Sequence, residues 1–175
     1  MNPQAMKTPQ TLDEFMALAL AMENEAVERY TDFADAMETH NNPDVAVMFR
    51  TMADYEARHA EAIMAQMGWL EAPAVAREAV CWPGFEAPEA ATGDAIHYLM
   101  QPWHALQLAL AAELRAQAFF GALADSANSE PVRLAALELQ AEEAEHVALV
   151  KAWMAKVPPP DRDWDADPDP PRYTD

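Results

Sequence analysis

The 175-residue chain has one cysteine, four glycines, eleven Lys and Arg against thirty Asp and Glu, and no apolar run near the roughly 18 residues a membrane span needs. Each shortage excludes something. A lone Cys81 can form no internal disulfide and no C-x-x-C pair for zinc or a rubredoxin-type iron, which fits a reducing compartment. With so few glycines and 9% aromatics, the turns of an all-β fold are hard to build. A formal net charge of -19 repels nucleic acid and anionic membrane surfaces and favours a cation over a phosphate as partner. No apolar h-region with a cleavage site follows Met1 to Lys7, so the chain reads as cytoplasmic.

What is present is enough for one helical domain: 19.4 kDa, 51% hydrophobic residues and abundant alanine. Thr11-Leu12-Asp13-Glu14 predicts a capping box, with the Thr11 oxygen accepting from the Glu14 amide and the Glu14 side chain reaching back to the cap. A period-3.6 apolar face follows through Phe15, Ala19, Met22, Ala26, Tyr30, Phe33 and Met37. Asn42-Pro43-Asp44 restarts a second helix that runs to Gly68, a natural left-handed stop. Residues 69–93, broken by Pro73, Pro83 and Pro88, read as a long crossover with room for one short helix over Ala74 to Val80. Pro102 begins or kinks a third helix running through Trp103 to Ala124. Ser129-Glu130-Pro131 opens a fourth, which ends before Pro158. Residues 158–175 hold six Asp and six Pro and read as a solvated acidic tail, with wrapping of a partner subunit as the alternative. The expected fold is therefore all-α: a ferritin-like four-helix bundle over 11–157, built as two helical hairpins joined by a long crossover.

The hairpins repeat one another. Leu18-Ala19-Leu20-Ala21-Met22-Glu23 aligns with Leu108-Ala109-Leu110-Ala111-Ala112-Glu113, and seven residues after each Glu stands Tyr30 or Phe120. In the second helices Met52, Glu56, His59 and Ile63 align with Leu139, Glu143, His146 and Val150. Such a duplication implies an approximate twofold axis, so each hairpin should bring the same groups to the centre.

Glu56-x-x-His59 and Glu143-x-x-His146 put a carboxylate and an imidazole on adjacent turns of one helix face. Two such matches alone are not decisive; their placement is. Glu56 has Phe49, Met52, Ala53, Ala60 and Ile63 on its face, and Glu143 has Ala136, Leu139, Val147 and Val150. The same test selects Glu23 and Glu113 as inward and turns Glu28 outward. Four buried carboxylates without cations would cost several kcal/mol each, and metal ions are the simplest remedy. Four Glu and two neutral His balance two divalent ions, and hard oxygen donors with imidazole suit iron, or manganese, better than copper.

On these residues the chain resembles the ferritin-like carboxylate proteins. Ala21-x-Glu23-x-Glu25-Ala26-x-x-x-Tyr30 and Ala53-Asp54-x-Glu56-x-x-His59 are most similar to rubrerythrin-type members. The resemblance implies a dimetal site of Glu23, Glu56, His59, Glu113, Glu143 and His146, with two iron ions about 3.5–4 Å apart and Glu56 and Glu143 bridging. It also implies peroxide reduction or Fe(II) oxidation. In three respects the chain departs from the pattern. Ala116 stands where rubrerythrins carry a further ligand Glu, no four-cysteine rubredoxin-like domain is present, and the acidic tail replaces the fifth helix of caged ferritins. A peroxidase of this kind therefore calls for a separate electron donor. A non-catalytic iron-binding or iron-delivery protein and a metal-free interaction module are the alternatives.

Tyr30 lies two turns from Glu23 and reads equally as a hydrogen-bond partner of a ligand carboxylate or as a core aromatic. Tyr55 and Glu142 precede ligand residues and read mainly as exposed. His40, His97 and His104 lack an acid at ligand spacing, and the eleven Met read as core filler. Trp69, Leu70, Trp82 and Phe85 exceed what one bundle buries, which predicts a homodimer using the 69–93 crossover rather than a cage.

Overall fold

A computed structural model describes residues 8–75 and 96–166. Within them stand four helices: α1 (Leu12–Thr39), α2 (Pro43–Met67), α3 (Pro102–Ser126) and α4 (Glu130–Met154). Cys81, Trp82, Phe85 and most of the short helix expected over 74–80 lie outside the described residues.

Local chemistry sets the helix ends. The Glu14 amide donates to Thr11 Oγ1 at 3.2 Å, as the capping box requires, but the Glu14 carboxylate accepts from Gln10 N at 2.8 Å rather than from Thr11. The reach falls one residue beyond the cap. Pro43 occupies the first turn of α2, where its missing donor is harmless, and Gly68 ends that helix at φ 66°. Pro102 starts α3 and does not kink it. Ser129 precedes α4 without a side-chain cap. Asn42 does not cap α2 either; its Nδ2 donates to the carbonyls of Tyr98 (3.2 Å) and Met100 (2.7 Å), tying the α1–α2 turn to the chain entering α3.

The apolar faces meet in two clusters. The first gathers Phe15, Met22, Ile63, Phe120, Leu123 and Val132, and the second gathers Tyr30, Phe33, Val45, Phe49, Leu106 and Val150. Burying each large side chain stabilises the fold by about 1.5–3 kcal/mol. Cluster membership also fixes direction. Helices α1 and α4 run from the first cluster to the second, while α2 and α3 run the other way, so the end of α2 and the start of α3 lie at opposite ends of the bundle. This is the ferritin-like arrangement.

The chain after α4 folds back onto its own bundle. Trp164 packs against the second cluster, its ring 4.0 Å from His104 and 5.4 Å from His97. Composition alone predicts a solvated tail here, whereas the indole anchors the start of that segment to the bundle. No described helix is long and apolar enough to cross a membrane.

Candidate metal centre

Between the two apolar clusters lies a polar layer. Glu23, Glu56, Glu113 and Glu143 are 3%, 5%, 7% and 2% exposed, and they are the buried charged side chains among the described residues. Each helix supplies one, at the point where its apolar face passes from the first cluster to the second. Helical spacing thus dictates the site: a face that buries Met22 and Ala26 must also bury Glu23.

The four acids and two imidazoles form two facing triads. His59 Nδ1 lies 3.3 Å from Glu56 Oε2 and 3.7 Å from Glu23 Oε2, and His146 Nδ1 lies 3.4 Å from Glu143 Oε2 and 3.5 Å from Glu113 Oε2. Within each triad, Glu23-Glu56-His59 and Glu113-Glu143-His146, the potential ligand atoms lie within 4.8 Å of one another. The near-equal distances express the internal duplication in space. The imidazole planes lie 2° apart with centroids 4.2 Å apart.

Electrostatics report the cost of this layer. Burial pushes Glu23 up to about 8 and Glu143 to about 7, and raises Glu56 as well; the neighbouring imidazoles only partly offset it. Burial alone would depress the histidines, yet Glu23 and Glu56 lift His59 to about 10, and Glu113 and Glu143 lift His146 to about 11. Protons are thus retained where charge must otherwise be balanced.

The donor set fits metal. Glu23 Oε2 and Glu143 Oε2, one oxygen in each triad, are shut off from water with no hydrogen-bond partner among the described residues. A buried carboxylate oxygen left so is costly, and a divalent cation satisfies it directly. Three oxygen and nitrogen donors per triad suit a hard or borderline ion.

Tyr30, Glu142, Ala116 and the other three histidines belong to neither triad. Tyr30 is 1% exposed and stacks on Phe49 with centroids 6.1 Å apart. Glu142 is exposed and Ala116 is buried in the first cluster. His104 Nδ1 accepts from Gln101 N at 3.0 Å and closes the α3 cap, while burial holds its pKa below the usual value. His97 Nδ1 accepts from Leu99 N at 3.2 Å, and His40 ends α1. None of these three joins either triad.

Sequence reasoning undervalued Tyr55 and missed Trp153. Both line a cavity of about 20 Å³ against Glu56, His59, Glu113 and His146. The available signal was spacing: Trp153 follows His146 by seven residues, two turns along one face.

Comparison with known proteins agrees with this reading. The family model for rubrerythrin matches residues 14–91. An uncharacterized conserved protein from Magnetospirillum magnetotacticum MS-1, known from a crystal structure, is 38% identical over 86% of this chain and 98% of its own, with a TM-score of 0.61. No curated protein gives a significant match. With its four-helix bundle and paired carboxylate-histidine triads, the chain belongs to the rubrerythrin family of ferritin-like proteins.

Proposed function

We propose that the protein is a non-haem diiron oxidoreductase, with peroxide reduction or Fe(II) oxidation by O2 as its reaction. The observation that carries this reading is the pair of facing Glu/Glu/His triads, each with a buried carboxylate oxygen that lacks a hydrogen-bond partner. Glu23, Glu56 and His59 would hold one ion and Glu113, Glu143 and His146 the other. Two iron ions held there would supply one electron each, matching the two-electron reduction of peroxide to water or of O2 to peroxide.

The chain's own groups do the rest. The apolar clusters on either side exclude bulk water, which strengthens every charge interaction inside. Glu23 and Glu143, held protonated near neutrality, lose their protons on taking up a cation, so the site exchanges protons for metal. Reduction of hydrogen peroxide consumes two protons and two electrons and releases two waters; a separate donor would supply the electrons. We further propose a homodimer as the working state.

Metal analysis of the purified protein, with turnover assays using hydrogen peroxide plus a reductant and Fe(II) plus O2, tests the reading. Two irons per chain with turnover in either assay supports it. Two irons with turnover in neither makes this an iron-binding or iron-delivery protein, and absence of metal affinity makes it a helical interaction module.

A further inference from the structure

The cavity beside the triads has two unlike sides. Its inner wall is buried and includes Glu56, Glu113 and the apolar Met52, Ala109 and Val150. Its outer wall is half-buried and comes from α2 and α4 alone: Tyr55, His59, His146, Leu149 and Trp153. The cavity therefore touches one carboxylate and the imidazole of each triad, and opens toward the seam between α2 and α4. At about 20 Å³ it has room for a molecule of roughly the size of water.

Two aromatic rings stand beside the stacked imidazoles in this outer wall. Tyr55 on α2 and Trp153 on α4 meet edge to face, with centroids 5.5 Å apart and planes at 73°. Neither is free to swing at no cost. The Arg58 guanidinium lies over the Tyr55 ring, 5.4 Å from its centroid, and Trp153 packs against the second core cluster. A bulky molecule entering between these two rings must part the pair and give up those contacts.

We propose that Tyr55 and Trp153 are specificity-determining residues that filter oxidants by size, admitting hydrogen peroxide or O2 to the triads and excluding organic hydroperoxides. The proposal rests on the diiron reading above and narrows its substrate class. A two-heavy-atom oxidant needs only a small adjustment of the cavity, whereas an aryl hydroperoxide exceeds it several-fold.

Two measurements test the filter. In the metal-free protein, with methionine methyls carbon-13 labelled, dissolved O2 should broaden the Met52 methyl signal more than that of Met22, which is buried but lines no part of the cavity. A nitroxide probe of cumene hydroperoxide size should broaden Met52 in Trp153→Ala but not in the parent. In the iron-loaded protein, the ratio of kcat/KM for hydrogen peroxide to that for cumene hydroperoxide should fall by about tenfold or more in Trp153→Ala and stay near the parent value in Trp153→Phe. Tyr55→Ala should act like Trp153→Ala and serves if the latter does not fold. Equal nitroxide broadening in parent and variant, or an unchanged ratio in a variant of parental metal content, overturns the filter. If no metal binds, the diiron reading fails while the nitroxide measurement still decides whether the aromatic pair controls access.

Discussion

His59 and His146 stack face to face between α2 and α4, 4.2 Å apart and parallel within 2°. They come from the second helix of each hairpin, at equivalent positions of the duplicated sequence, so the contact lies where the two halves of the chain meet. Each imidazole is bracketed by two carboxylates of its own hairpin. In the metal-free protein this gives two protonated rings among four acids, a balance reached with protons. Metal ions would reach the same balance with fixed charge and stronger bonds.

Metal binding should stabilise the fold. Ions that bind the folded triads and not the unfolded chain add about 2.7 kcal/mol at a hundredfold excess over Kd, or about 5–10 °C in melting temperature for a domain of this size. Calorimetry of chelator-treated and iron-loaded samples at pH 7 reads this directly. Equal melting temperatures would be incompatible with a buried dimetal site.

The metal-free protein should lose stability steadily as pH rises. For Glu23 and Glu143, raised from 4.5 to about 8 and about 7, the stabilising contribution is complete below 4.5 and lost as pH passes through 7 to 8. For His59 and His146, raised from 6.5 to about 10 and about 11, it is complete below 6.5 and lost as pH passes through 10 to 11. All four have the same sign. Thermal melts of chelated protein should therefore fall between pH 5 and pH 10, whereas the gain from metal should grow over pH 5 to 8 as protons compete less for the ligands. A metal-free melting temperature that rises across this range would contradict the arrangement of the triads.

Replacing one buried acid should separate folding from binding. Glu143→Gln keeps the shape of the side chain and removes a carboxylate that is ionised at a cost above pH 7. Without metal at pH 8 the variant should melt at or above the parent temperature. With metal it should lose most of the parent's gain. Glu23→Gln should behave alike, and a variant destabilised without metal yet fully responsive to it would place these acids in a purely structural role.

Much of this was legible because it is periodic. Apolar spacing marked Glu23 as inward and Glu28 as outward, Pro43 and Gly68 bounded α2, and the repeat paired Glu56-x-x-His59 with Glu143-x-x-His146. What escaped depends on contacts between distant segments. Tyr55 meets Trp153 across two helices, and Asn42 bonds to carbonyls of residues 98 and 100. No local pattern pairs such residues. Trp164 escaped for another reason: composition averages over a window, and one indole in an acidic, proline-rich stretch is enough to pin its neighbourhood to the bundle.

That indole gives a further test. Trp164→Ala removes a half-buried ring packed on His104 and His97 and should cost about 1–2 kcal/mol, less than a fully buried aromatic. Denaturant midpoints measure it. A loss below about 0.3 kcal/mol would mean that the chain beyond α4 is not anchored in solution.

Trp69, a candidate interface residue from sequence, is half-buried against the first core cluster, and its neighbour Leu70 is 99% exposed. On the second hairpin Leu114, Leu134 and Leu137 are 44%, 54% and 40% exposed. Trp82 and Phe85 lie outside the described residues. Exposed leucines in a chain of net charge -19 face opposing demands: apolar surface favours association, while like charge penalises each added subunit. A twofold pair buries such patches once and brings together only two charged bodies. Light scattering at physiological salt should give a mass near twice 19.4 kDa. Its dimer fraction should rise with salt, since screening weakens repulsion and leaves apolar contact intact. Leu70→Asp, made at an exposed site remote from the triads, should shift the equilibrium toward monomer if the start of the crossover forms part of the interface. A particle of hundreds of kilodaltons would refute the dimer and point to iron storage.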